Sequence, residues 1–425
     1  MHTRTRPHRP AACAAIAAAV MFAAPLATAS GAANAPAASR HSDAPAAGRP
    51  AAGGSCTPSV TRLPDLGHGG AAIAFSGGTV VGDVADARGF PHPAIWRNGH
   101  LQVIRTPAIR FGGANDINAR GQILGSTSSR AFNITNSWEL FRGRITILRN
   151  VPGSRGHYAR RINNRGQIAG ADGNLALTRT VAVRWDSASA APVPLAPRPG
   201  DTFSFSKGIN DRAQVAGDTD EADGTPHAAI WSPSGRIRVF SGAYGPGSPS
   251  DLFVINDAGT SAGESFNAAF TANQATIWSR RGVPAGLGFL PGLNQSKALG
   301  LSGSGFVSGE SGLFDYTNFT FSAVHAFVWP GHGPLLTLPV PHLPYARSGS
   351  NVHQISDNGT VAGTAGPAHG VWHAYVWACA FQQAFLPPPP AARPSRTAST
   401  SAARLRPAGL PRWTAFRHID LLAGH

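Results

Sequence analysis

The sequence predicts an all-β protein, a seven-bladed β-propeller of four-stranded blades closed by an N-terminal strand and a disulfide. Three observations lead there. A ten-residue motif, RINNRGQIAG at Arg161–Gly170, recurs as DINARGQILG, GINDRAQVAG, VINDAGTSAG and QISDNGTVAG. The glycine that ends each copy recurs as Gly82, Gly125, Gly170, Gly217, Gly263, Gly309 and Gly363, at intervals of 43, 45, 47, 46, 46 and 54 residues. An aromatic residue follows each glycine by 14 to 20 positions: Trp96, Phe141, Trp185, Trp231, Trp278, Trp329 and Trp377. Four short strands at a period near 46 residues, with no helical periodicity between them, is the signature of a propeller blade.

Residues 1–29 place Arg4, Arg6 and Arg9 before a short apolar run that ends in small residues, the pattern of a secretory signal peptide. Residues 30–55 are mostly Ala, Pro, Gly and Ser and read as a disordered linker. Each repeat then supplies an apolar strand, a turn of the type Asn-x-x-Gly, a GQIAG-like strand, an HAxxW-like strand and a last strand after a further turn. Asn, Asp and Gly sit where the chain reverses because they tolerate positive φ and close local hydrogen bonds. A four-stranded blade cannot bury both faces alone, and a closed ring gives each blade two neighbours. The propeller is expected over 56–385, and the Pro- and Arg-rich segment 386–425 offers nothing to bury and reads as a disordered basic tail.

The unit INxxGQxxG followed by HAFxW resembles the HAF family of probable extracellular repeats, and LPDLGHGG at Leu63–Gly70 is similar to the segment that joins units in that family. The resemblance spans about residues 60–380. It implies export and a repeat fold, with no family-wide activity or catalytic residues.

The net charge of +15 belongs mostly to the ends: the signal segment, the linker and the six arginines beyond residue 380, set against Asp420, leave +6 on residues 56–380. A nucleic-acid partner is therefore not expected, although the cationic tail suits an anionic cell surface. No segment is long and apolar enough to read as a membrane span, and the protein is expected to be a secreted monomer.

Candidate sites follow from local chemistry. Asp218, Asp220 and Asp223 in DTDEADG are the densest acidic cluster and have the oxygen donors Ca²⁺ prefers; the spacing departs from an EF-hand loop, and a solvated loop between second and third strands is the preferred reading. Ca²⁺ is the one cofactor considered. His92, His227, His325 and His373 recur four residues before the tryptophan; facing the channel they could hold a metal, but Ser137, Val181 and Gln274 break the set and a structural role is preferred. The sixth unit has an enlarged loop carrying Phe314, Tyr316, Phe319 and Phe321. Phe314, Tyr316 and Phe319 form a candidate ligand platform, weighed against a packing role.

No Ser elbow, HExxH helix or recurring carboxylate pair supplies a catalytic residue. Cys56, before the first unit, and Cys379, two residues past Trp377, are predicted to form a disulfide where TPSVTRLPDL completes the last blade. FQQAFL from Phe381 competes for that strand position. The function expected is non-enzymatic binding of an extracellular polysaccharide or protein, and the alternative is a propeller lyase or glycoside hydrolase. Convergence of acidic, His or Arg side chains from several blades at the channel favours the enzyme; small and apolar lining favours binding.

Overall fold

A computed structural model describes residues 56–128, 134–154, 156–173, 180–315 and 320–388. The signal, linker and tail expectations fall outside these residues, except for the first three residues of the tail. The described residues form seven antiparallel blades of four strands, consecutive in the chain and paired in that order except for the outer strand of the seventh. A single parallel bridge, Asn273 to Gln295, also joins the fifth blade to the sixth. The first strands are Gly70–Ser76, Gly112–Ile117, Gly156–Ile162, Phe203–Ile209, Ser250–Ile255, Gln295–Leu301 and Ser348–Ile355. Each touches the first strands of both neighbouring blades, the seventh and the first included, so these strands surround the axis.

The repeated glycine is explained by a β-bulge. In every blade the register between first and second strands shifts at one place, as between Ala159 and Arg161 opposite Gly170, or between Ser206 and Gly208 opposite Gly217. The bulge brings a first-strand carbonyl over the glycine. A Cβ on Gly82 would lie 1.8 Å from the Ala71 carbonyl oxygen, and one on Gly217 would lie 1.9 Å from that of Phe205. A glycine inside a strand marks such a close backbone approach.

The recurring tryptophan fastens one blade to the previous one. Trp96, Trp185, Trp231, Trp278 and Trp377 are almost fully buried. Their indole N–H groups donate to the carbonyls of Pro64, Arg149, Ala196, Ser241 and Pro339, in the segments that lead out of the preceding blade. Buried indoles need such an acceptor. The second blade departs from the expectation. Ile123 pairs with Leu140, so Leu140 rather than Phe141 occupies the tryptophan register, while the fully buried Trp138 lies over Gly125.

The recurring asparagine does more than close its turn. Asn163 Oδ1 accepts from the backbone N–H groups of Arg165 and Gln167, and its Nδ2 donates to the Asn210 carbonyl of the next blade at 2.9 Å. The same link runs from Asn118 to Asn163, from Asn210 to Asn256 and from Asn256 to Ser302. It joins four successive seams, from the second blade to the sixth.

Where the chain ends meet, Ser59–Arg62 pairs antiparallel with Tyr375–Ala378 and is the outer strand of the seventh blade. Cys56 and Cys379 are disulfide-bonded with Cα atoms 5.8 Å apart. Cys379 takes φ 53°, as Asn98 does at φ 50° in the equivalent turn of the first blade. The competing segment is no strand: Ala380–Gln383 is one helical turn, and Phe385 makes an isolated bridge to Thr337. Leu63, Ala72, Val84, Ala94 and Trp96 share one core with Ala362 and Ala374, across the seam of first and seventh blades.

Candidate functional site

The bulge that requires the glycine also inserts one extra residue into each first strand. These residues are Ile73, Asn115, Arg160, Lys207, Phe253, Leu299 and His353. Contacts between blades that are not neighbours place several of them face to face across the axis. Arg160 of the third blade lies over the Phe253 ring of the fifth, 5.9 Å from its centroid. Arg161, the residue after the bulge, reaches from the third blade to the His353 carbonyl of the seventh at 3.5 Å and also donates to the Asn115 carbonyl at 3.3 Å. Lys207 lies 4.8 Å from the Phe253 centroid.

The channel charges form two groups, which meet at the Phe253 ring. In the first, Lys207 bridges two buried carboxylates, Asp218 at 3.2 Å and Asp251 in a shorter ion pair. The second, cationic sector is made by Arg160, Arg161 and Lys297 around His353. Burial, reinforced by those three positive charges, lowers the imidazole to about 3, so His353 is neutral at ordinary pH. Lys297 is itself paired with Glu310 at 3.0 Å. Asp116, beside Arg161, is raised by burial; Arg161 and the Ile162 N–H at 2.8 Å oppose the shift.

Asp83 stands apart. It follows the marker glycine of the first blade and faces Gly113 of the second, whose missing Cβ would lie 3.6 Å from Asp83 Oδ2. It is 7% exposed and makes no side-chain hydrogen bond or ion pair among the described residues. Burial alone raises its carboxyl from 3.8 to about 7. A buried carboxyl that titrates near neutrality is suited to proton transfer.

The residues expected from sequence are distributed differently. Asp218 and Asp220 belong to strand Val215–Asp220 and are buried, not part of a solvated loop; Asp218 is ion-paired there with Lys207 of the adjacent strand. Asp223 lies in the exposed turn beyond, accepting from the Thr225 N–H at 2.9 Å. Among the described residues no group of three or more His, Cys, Asp or Glu is arranged to hold a metal. The recurring histidines lie on third strands, away from the axis: His92 pairs with Asp86 at 3.1 Å, His227 with Glu221 at 2.9 Å and His373 with Asp65 at 2.6 Å, while His325 stacks on Tyr345. By register the second-blade member of that set is Asn136 rather than Ser137. Phe314 is buried in Val307–Asp315, its backbone N–H and carbonyl both bonded to the Asn294 side chain. Tyr316 and Phe319 lie outside the described residues.

The channel ring was missed because its residues share no chemistry. The available signal was the strand glycine, which marks a bulge and therefore an inserted neighbour. No helix among the described residues is long and apolar enough to cross a membrane.

No family model and no curated protein matches the chain. An oligogalacturonate lyase from Vibrio parahaemolyticus is similar in structure, with TM-score 0.51 and 12% identity over 75% of this chain and 93% of that one. The β-propeller domain of the trilobed protease from Pyrococcus furiosus aligns with TM-score 0.48 and 13% identity over 73% of this chain and 95% of that one. At these identities the likeness is one of fold.

Proposed function

We propose that the protein is an exported, non-enzymatic repeat protein of HAF type that binds an extracellular macromolecule, a surface polysaccharide in the first instance, at its central channel. The observation that carries this reading is the contrast between the scaffold positions and the channel ring. Glycine, tryptophan and asparagine recur from blade to blade, and each has a packing or hydrogen-bonding task. The bulge residues comprise an amide, an arginine, a lysine, a phenylalanine, a histidine and two aliphatic residues, although their backbone environment is the same in every blade. Diversity at one fixed position of a rigid scaffold is how a repeat fold builds a specific surface. The test is a glycan array probed with the full secreted chain, followed by Lys207→Met and His353→Gln. The expected result is a restricted set of bound glycans whose signals fall in the variants; signals unchanged in both would overturn the channel as the binding surface.

A propeller lyase or glycoside hydrolase is the second reading, favoured by Asp83 and by the convergence of Arg160, Arg161 and His353 from different blades. Its test is release of new reducing ends or unsaturated sugars from the bound glycan. Turnover abolished by Asp83→Asn would replace the binding reading with the enzymatic one.

A further inference from the structure

We infer that the cationic sector of the channel is an anion site in which Arg160 receives a carboxylate, so that the ligand is an acidic, uronate-bearing saccharide. This deepens the binding reading above and rests on it for the saccharide part; the anion part rests on the channel itself.

The other cations around the axis are occupied. Lys207 is held by Asp218 and Asp251, Lys297 by Glu310, and Arg161 spends both terminal nitrogens on the carbonyls of Asn115 and His353. Arg160 has none of these: among the described residues its guanidinium makes no hydrogen bond and no ion pair, and it lies over the Phe253 ring. A guanidinium has five N–H donors in a fixed fork. Arg160 is part-exposed, so these donors face solvent and are open to an acceptor from outside.

The surroundings favour an anion in that place. Arg161 reaches across the axis and brings a second positive charge beside the first, and the neutral His353 adds none of its own. The bulge puts both arginines on consecutive residues near the axis, an arrangement that ordinary strand alternation would split between two faces. The planar fork matches a carboxylate through two parallel hydrogen bonds, which a lysine does not reproduce.

The test is titration of the full chain with tri-galacturonate, with the neutral galactotriose as control, at two salt concentrations. Tri-galacturonate is expected to bind and the neutral sugar to bind far more weakly, with affinity falling as salt rises. Arg160→Met should weaken binding by about tenfold or more, and Arg160→Lys should restore part of the loss, because charge returns without the fork. Arg97→Ala, on an exposed strand end, should leave affinity unchanged and reports non-specific effects. Thermal unfolding of each variant separates loss of binding from loss of fold, and the conservative lysine variant keeps the test open if the methionine variant does not fold. Equal binding of the neutral and acidic sugars, or full affinity in Arg160→Met, would overturn the anion site while leaving the polysaccharide reading in place. Arg160-dependent binding of an acidic peptide but of no saccharide would overturn the saccharide part and with it the proposed function. No binding of tri-galacturonate at millimolar concentration would overturn the inference.

Discussion

The seams from the second blade to the sixth and the seam where the ends of the chain meet are fastened by different means. In the first group each asparagine ties its own turn and reaches the backbone of the next blade. At the closing seam the first blade turns through Gly77 and Gly78, with Ser76 paired to Thr79, and has no five-residue loop to present the same carbonyl. The fastening there is an outer strand borrowed from the N-terminus, a shared apolar core and a disulfide. A repeat can carry its own clasp only while its successor has the same turn, and the place where two different ends meet needs a separate device.

The largest expected effect lies at the closing seam. Replacing Cys56 and Cys379 by serine removes a cross-link between residues 323 apart, which the chain-entropy model values at about 5 kcal/mol as an upper figure. Denaturant unfolding with and without reductant should show the loss in the parent chain and none in the double variant. An equal midpoint for the two proteins would mean that strand pairing and the apolar core close the ring unaided.

Next in size is a gain. The Asp83 carboxyl is raised from 3.8 to about 7 by burial. Its folded form therefore keeps a proton that the unfolded chain releases, so stability falls as pH rises between those two values and stays low above the second. Asp83→Asn should stabilise the protein at pH 8 by on the order of 4 kcal/mol at most and by nothing at pH 3. The sign is opposite for His353, lowered to about 3: the unfolded chain takes up a proton below 6.5 while the folded one does not, so stability falls as pH drops from 6.5 towards 3. Melting temperatures of parent, Asp83→Asn and His353→Gln across pH 3 to 8 would separate the two contributions.

Within the asparagine-tied seams, Asn163→Ala removes two accepted backbone hydrogen bonds, the bond to the Gln167 side chain and the bond to the next blade. At about 1 kcal/mol each, the loss should be near 4 kcal/mol. The Ser302 side chain accepts from the Phe306 N–H at 3.1 Å and also bonds the Asp357 carboxylate, and Ser302→Ala should cost about 2 kcal/mol. No loss in Asn163→Asp, which keeps the accepting oxygen and removes the donating amide, would show that the inter-blade bond contributes nothing.

The blade count and the strand that completes the seventh blade were legible because packing residues must recur when the same interface is built again and again. Trp96 and Trp377 announce themselves, and Cys379 stands where Asn98 marks the ordinary turn. The second blade misled because Trp138 fills the interface from a different register, leaving Phe141 as an attractive decoy. The burial of Asp218 was hidden for another reason: its partner Lys207 lies on the adjacent strand, and cross-strand pairing does not show in a local acidic motif. The channel ring escaped because periodicity finds what repeats, whereas Arg160, Phe253 and His353 share a place and nothing else.

The outer strand of the seventh blade has a consequence for the order in which the molecule is made. Ser59–Arg62 emerges before every other described strand, yet its partner Tyr375–Ala378 is the last to be synthesised. Throughout elongation the growing chain therefore carries an unsatisfied strand at its leading end, while the blades between can form one after another as their turns appear. Final assembly is a post-synthetic event of very high contact order and should be the slow, aggregation-prone stage of maturation.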